Sequence, residues 1–280
     1  MVLEERRMHA ALTPWEHIEL ARHPERPRML DYTGRLFEDF VELHGDRSLG
    51  DDPAMVCGVA RFEGRTVFVA GQQKGVGTEE KVRRNFGMSS PEGYRKALRV
   101  FRLAEKFGAP IITFVDTPAA HPGVEAENHG QGPAIASNLM EMSGLRVPVL
   151  AVVLGEGGSG GALGIAVADR VVMFELAVYM ICPPERCAEI LWRDESKKTQ
   201  AAAALKITAA DLLALGAVDR ILPEPGGGAH RNPGGAAEAL RVEIQDFLRE
   251  CGENRFSPET RRARFDRMGV WMEEADGGKG

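Results

Sequence analysis

Residues 147–162 read VPVLAVVLGEGGSGGA, and this stretch decides the fold. Its first half, Val147–Leu154, is an apolar run of strand length, as a strand covered on both faces of a parallel sheet requires. Its second half puts five glycines among the seven residues from Gly155 to Gly161, and an alanine-rich helical stretch follows. A helix start leaves backbone N–H groups unpaired and carries the positive end of the peptide dipoles. Glycines at such a start let a ligand oxygen reach the backbone. The N–H groups of Gly161 and Ala162 are therefore candidate donors to negative charge growing on a carbonyl oxygen. The competing reading is a tight strand-to-helix turn whose glycines serve close packing alone. A dinucleotide site fits less well, because the spacing is G-x-G-G-x-G-G, lies mid-chain and lacks the acid that should close a following strand. A P-loop would need Lys-Ser or Lys-Thr after the glycines, and neither is present.

Outward from this junction, Ile111–Val115 is a second apolar run, left by the loop DTPAAHPG (116–123) and followed by a helix over 132–145. Further strand signals occupy Arg170–Phe174 and Ala177–Ile181. This alternation predicts an α/β core with parallel strands, and it places the 116–123 loop and the glycine junction together at the carboxyl edge of the sheet. There Asp116 reads as a turn-capping carboxylate ahead of a catalytic acid, and His121 as a group able to titrate near neutrality. Upstream, Ser90-Pro91-Glu92 starts a helix that stops at Gly108. Residues 54–62 and 66–70 form a hairpin about Glu63-Gly64-Arg65, and Met29–Leu43 has helical periodicity. Residues 71–90 read as a basic loop. The set Lys74, Lys81, Arg83, Arg84, Arg95, Lys96, Arg99 and Arg102 is either a solvated face or a phosphate contact, with Lys81, Arg83 and Arg84 the candidates for an acyl-coenzyme A. Downstream, Pro183-Pro184-Glu185 opens a helix through Trp192, helices follow at 201–205 and 209–215, and PEPGGGAHRNP (223–233) is a turn of unassigned purpose. The expected division is an extension over 1–28, one domain over 29–250 and a helical tail over 251–280.

The whole chain has 280 residues, 44% hydrophobic and 27% charged, with 32 glycines and a formal net charge of −6. This is globular composition, and the acidic balance argues against a general nucleic-acid clamp. The four cysteines, Cys57, Cys182, Cys187 and Cys251, form no C-x-x-C pair, so no metal site is expected. No run approaches membrane-spanning length and the first residues lack a signal-peptide pattern, so a cytoplasmic setting is expected. There is no Ser–His–Asp signature. From residues alone the reading is an acyl- or anion-handling α/β enzyme with a backbone oxyanion site.

Six segments carry a more specific resemblance: LDYTGRLFEDFVELHGDR, KVRRNFGMSSPEGYRKALR, PIITFVDTP, GEGGSGGALGI, CAEILW and PEPGGGAHRNP. Across roughly residues 12–250 the chain resembles the α subunits of bacterial acetyl-coenzyme A carboxylase carboxyltransferase. The resemblance implies a crotonase-like ββα superhelix with flanking helices. It implies transfer of a carboxyl group from carboxybiotin, borne on a carrier protein, to acetyl-CoA, giving malonyl-CoA for fatty acid synthesis. The implied partners are a zinc-ribbon β subunit in an α2β2 assembly, the biotin carboxyl carrier protein and biotin carboxylase; neither a membrane nor nucleic acid is implied. Gly161 and Ala162 would then hold the ureido oxygen of biotin, with Gly157, Gly158, Gly160, Ala119 and Ala120 shaping the pocket. Replacing Gly161 by valine is expected to stop turnover with the fold nearly intact. Departures from the family pattern fall at Ala119, His121, Glu125 and His129, and at Val76-Gly77 where an Arg–Asp pair is usual. They leave a paralogue acting on another acyl-CoA, a decarboxylase or a non-catalytic assembly subunit as alternatives.

Overall fold

The structure, a computed structural model, describes residues 12–253 and 255–269. The first and last residues of the chain lie outside that range, including the start of the expected extension and the end of the expected tail.

An eight-stranded mixed sheet forms the centre. Strands β1 (Glu38–Glu42), β2 (Met55–Phe62) and β3 (Arg65–Gln72) are antiparallel neighbours. From β3 onward the sheet is parallel, through β4 (Ile111–Thr117), β5 (Val149–Gly158), β6 (Arg170–Phe174) and β8 (Arg220–Leu222). The turn joining β2 to β3 has Glu63 and Gly64 both at positive φ, 50° and 77°, as a two-residue hairpin demands. This is the crotonase-like α/β fold anticipated above, with its helices on the sheet and around its edges.

Strand β5 sets the geometry of everything that follows. All ten of its residues are buried. Leu150–Val153 pair with β6, whereas Glu156–Gly158 pair with the short strand β7 (Val178–Met180). The strand therefore continues through the first half of the glycine cluster, where a strand end was expected. The helix after it, Ser159–Leu163, is only five residues long.

Two other expectations change. The Met29–Leu43 periodicity is split: α1 (Pro14–Ala21) precedes α2 (Met29–Leu36), which stops where Phe37 turns extended, and β1 follows. Phe37, Phe40 and Leu43 reach the core from this segment while Val41 stays exposed. Pairing with β2 supplies the backbone partners that helix would have supplied, so tertiary context overrides the local period. The basic loop 71–90 also contains structure, a helix α3 (Gly77–Arg83) and a single 3₁₀ turn.

The helix starting at Ser90 has the bounds read for it, although the Ser90 hydroxyl faces His121 and does not cap the helix. α4 spans Pro91–Phe107, with proline in its first turn and Gly108 left-handed at its end. It lies across the sheet and buries Tyr94, Ala97, Leu98 and Phe101. α5 (Val124–Asn128) and α6 (Gln131–Gly144) lead into β5, and α7 is the five-residue helix after it. Helices α8 (Pro184–Trp192), α9 (Lys198–Ala204), α10 (Ala209–Ala214) and α11 (Pro233–Gly252) complete the layer.

Both ends of the described chain pack onto this body. α1 buries Ile18 and Ala21 against Val178, Met180, Ala202 and Ile207. At the other end, α12 (Pro258–Asp266) inserts Arg261, 1% exposed, which donates to the carbonyls of Met142, Leu145 and Val147 and pairs with Asp169 at 2.5 Å.

Candidate active site

The carboxyl ends of β4 and β5 bring the loop 116–120 onto the glycine elbow 155–161. Contact is so close that the glycines are dictated by sterics. A Cβ on Gly158 would fall inside the Pro118 carbonyl, and one on Gly161 would run into the backbone of Ala119 and Ala120. On Gly157 it would stand 2.7 Å from the Tyr179 ring. The close-packing reading thus holds at these three positions. It also corrects the Gly161→Val expectation, because valine there collides with main chain and perturbs the loop itself.

Gly160 differs. Its Cβ direction is open, with Ile135 the nearest atom at 4.0 Å. Gly160 and Ser159 border an apolar cavity of about 550 Å³, lined by Leu163, Tyr179, Met180, Leu205 and Leu212 and rimmed by Lys206 and Arg264. The backbone N–H groups of Gly160, Gly161 and Ala162 belong to the first turn of α7, where donors lack intrahelical acceptors.

Behind the elbow stands a clamp that the sequence did not disclose. The backbone ladder passes from Gly164 N–H on Gly160 to Ile165 N–H on Ala162, skipping the carbonyl of Gly161. That carbonyl accepts instead from Gln72 Nε2 and from the Tyr94 hydroxyl, each at 3.0 Å. Gln72 also accepts from the Asp116 N–H at 3.1 Å, tying elbow and loop together. Both side chains are fully buried, and burial lifts the Tyr94 phenol far above its ordinary range, keeping it a donor. In a trans peptide the carbonyl and the following N–H point opposite ways. Holding the Gly161 carbonyl therefore aims the Ala162 N–H and restrains Gly161.

A charge network supports the same corner. Asp116 accepts from the Glu156 N–H at 3.0 Å and pairs with Lys74 at 2.9 Å. Lys74 also meets Glu156 at 2.6 Å, and Arg22 reaches Glu156 at 2.7 Å. Burial alone would raise the Glu156 carboxyl, but Lys74 and Arg22 hold it below the usual carboxylate range. Asp116 is accordingly bound up in structure, tied to the neighbouring strand and to Lys74 where a cap of its own turn was expected.

The basic set disperses. Lys81 borders a cavity with Arg22, Arg28 and Pro118. Arg83 faces a different one, and Arg84 folds back onto Glu80 at 2.7 Å and the Pro53 carbonyl at 2.8 Å. Arg95 and Lys96 pair with Asp46 and Asp51, Arg99 donates to the Gly45 and His44 carbonyls, and Arg102 meets Glu141.

Three of the family departures gather in one place. His121, Glu125 and His129 line a cavity of about 340 Å³ with Ser90, Glu92 and Asp52, apart from the elbow's open face. His121 Nδ1 lies 3.3 Å from Ser90 Oγ, and His129 Nδ1 2.9 Å from Glu92. Burial raises the Asp52 carboxyl to about 6 against the N–H groups of Ala54 and Ser90. Among the described residues no group of three His, Cys, Asp or Glu side chains could hold a metal ion, and no helix is long and apolar enough to cross a membrane.

Solved structures share this architecture. A transcarboxylase 12S structure aligns with a TM-score of 0.63 over 90% of this chain and 44% of that one, at 19% identity. The β subunit of a geranyl-CoA carboxylase from P. aeruginosa aligns with a TM-score of 0.63 over 89% and 46%, at 18% identity. At these identities the likeness shows a shared fold.

Sequence gives the narrower assignment. Residues 2–269 match the family described as "Acetyl co-enzyme A carboxylase carboxyltransferase-like". The acetyl-coenzyme A carboxylase carboxyl transferase subunit alpha of Cyanothece sp. is 56% identical over 94% of this chain and 82% of its own length. The subunit of that name from Aromatoleum aromaticum is 54% identical over 88% and 76%. The chain belongs to the acetyl-coenzyme A carboxylase carboxyltransferase family.

Proposed function

We propose that the chain is the α subunit of an acetyl-CoA carboxylase carboxyltransferase, moving a carboxyl group from carboxybiotin on a carrier protein to acetyl-CoA and so forming malonyl-CoA. The elbow carries this reading: first-turn N–H groups stand beside the one glycine whose outer face is open. Gly161 and Ala162 supply the donors. Gly160 leaves the approach clear, and Gly157, Gly158, Ala119 and Ala120 form the wall. Carboxybiotin supplies the transferable carboxyl group. The residues fit such a group, since its ureido oxygen needs donors and its thioether ring an apolar surface, and the elbow and adjoining cavity offer both. Donors already aimed at an oxygen gaining negative charge favour the transition state over the ground state without reorganising. Gln72 and Tyr94 hold that aim, and the network of Asp116, Glu156, Lys74 and Arg22 fixes the loop against the elbow.

The partners implied are a zinc-ribbon β subunit, which would complete the acyl-CoA side in an α2β2 assembly, together with biotin carboxyl carrier protein and biotin carboxylase. A cytoplasmic setting follows from that chemistry. The test mixes the purified chain with candidate β subunits, carboxylated carrier and acetyl-CoA, and follows malonyl-CoA. Formation only when a β subunit is present is expected; none with any partner overturns the reading.

A further inference from the structure

The glycine elbow contains an inversion of the usual residue preference. Left-handed backbone favours glycine, since any Cβ crowds the adjacent carbonyl. Yet none of the five glycines from Gly155 to Gly161 has positive φ, and the residue that does is Ser159, at 55°. An elbow already rich in glycine places a side chain at the position where one costs most. Strain of this kind persists where the side chain has a task.

The task is not structural. The N-cap of α7 is Gly158, so no side chain caps the helix and Ser159 stands inside its first turn. Its side chain is exposed, and no hydrogen bond of its hydroxyl to another described residue is present. It stands at the lip of the apolar cavity, one residue before Gly160 and two before Gly161. The other polar side chains on that cavity, Tyr179, Lys206 and Arg264, include no histidine or carboxylate to take a proton from it. Nucleophilic attack by Ser159 thus lacks a base, whereas hydrogen bonding needs only position.

We infer that Ser159 is a substrate-contacting residue, its hydroxyl donating to the carbonyl-bearing group held at the elbow beside the N–H groups of Gly161 and Ala162. This rests on the function proposed above and deepens it. Ser159 is exposed and lines the cavity, which puts its hydroxyl at the mouth of the site.

The test compares Ser159→Gly and Ser159→Ala with the unsubstituted chain, each assembled with its β partner. Three quantities are read: turnover to malonyl-CoA, binding of biotin by calorimetry, and melting temperature. Glycine removes hydroxyl and strain together, while alanine removes the hydroxyl and keeps the strain. Both variants are expected to lose about tenfold or more in kcat, a loss that reaches about a hundredfold where a full oxyanion donor is deleted, and to bind biotin about three- to tenfold more weakly. Ser159→Gly is expected to melt no lower than the unsubstituted assembly. Turnover within tenfold of the unsubstituted value in either variant overturns the inference. So does loss of turnover in Ser159→Gly accompanied by a lowered melting temperature, which would mark a structural role. An unsubstituted assembly that binds biotin but makes no malonyl-CoA would count against the proposed function instead, and the binding comparison would still decide the role of Ser159.

Discussion

Two glycine clusters in this chain look alike in sequence and are opposites in structure. In the elbow, Gly157, Gly158 and Gly161 have ordinary backbone angles and are glycine because the Tyr179 ring, the Pro118 carbonyl and the Ala119–Ala120 backbone fill the space a Cβ would take. In the loop 223–233, Gly226, Gly227 and Gly228 all have positive φ, at 76°, 84° and 128°, and are glycine because of conformation. The first cluster brings two segments of chain into contact, and the second reverses the chain. Turning the chain there brings the Ala229 N–H back onto Glu224, which also accepts from the Leu176 N–H and forms a buried pair with Arg26 at 2.6 Å. Excess glycine is thus two signals, and only close approach creates a site.

The contrast predicts a ranking of substitutions. Gly158→Ala should be the most damaging, costing about 3 kcal/mol or more in urea unfolding, because the Pro118 peptide must move to admit a methyl group. If Gly158→Ala is tolerated within about 1 kcal/mol, the close-packing account of the elbow fails. Glu224→Gln should cost about 3 kcal/mol by leaving the Arg26 charge buried and unpaired. Burial would raise the Glu224 carboxyl, but Arg26 holds it below the ordinary value. Its contribution is therefore present above the unfolded carboxylate pKa and fades as pH falls through the folded one. The variant should accordingly lose less stability on acidification than the parent, as thermal melts from pH 7 to pH 3 would reveal. Gly227→Ala should cost about 1–2 kcal/mol from backbone strain, with Gly227→Asn milder. Equal costs for alanine and asparagine would contradict a conformational role.

The smallest effect on stability separates clamp from packing. Tyr94→Phe keeps the buried ring and removes one donor from the Gly161 carbonyl, for about 1 kcal/mol of stability. Turnover should nonetheless fall severalfold, with KM for the carrier little changed. A fall in stability without a fall in kcat would leave Tyr94 a packing residue.

Much of this was legible along the chain where local signals suffice. The helix at Pro91–Phe107 announced both ends through Pro91 and Gly108, and the apolar runs of β4, β5 and β6 could hardly lie anywhere but inside a sheet. The loop 116–120 and the elbow could be placed together because parallel strands share a carboxyl edge. Strand β1 is hidden because Phe37, Phe40 and Leu43 recur every three residues, which fits a helix and not the alternation of a strand. The strand accommodates that spacing through the irregularity between Glu38 and Val41, where Asp39 has positive φ. Gln72 and Tyr94 were invisible because their partner, one carbonyl, is reached only after β3 pairs with β4 and α4 crosses the sheet. The apolar cavity beside Gly160 draws on five separate segments, so no window of sequence contains it.

The central claim, that the open face of Gly160 admits the carboxyl donor, has a direct measurement. Gly160→Val places its side chain in free space, so folding should be unaffected by melting temperature and circular dichroism. With β subunit, carboxylated carrier and acetyl-CoA, malonyl-CoA formation should fall by about a hundredfold or more, comparable to losing an oxyanion donor. A Gly160→Val assembly that folds normally and turns over at the parental rate would contradict it.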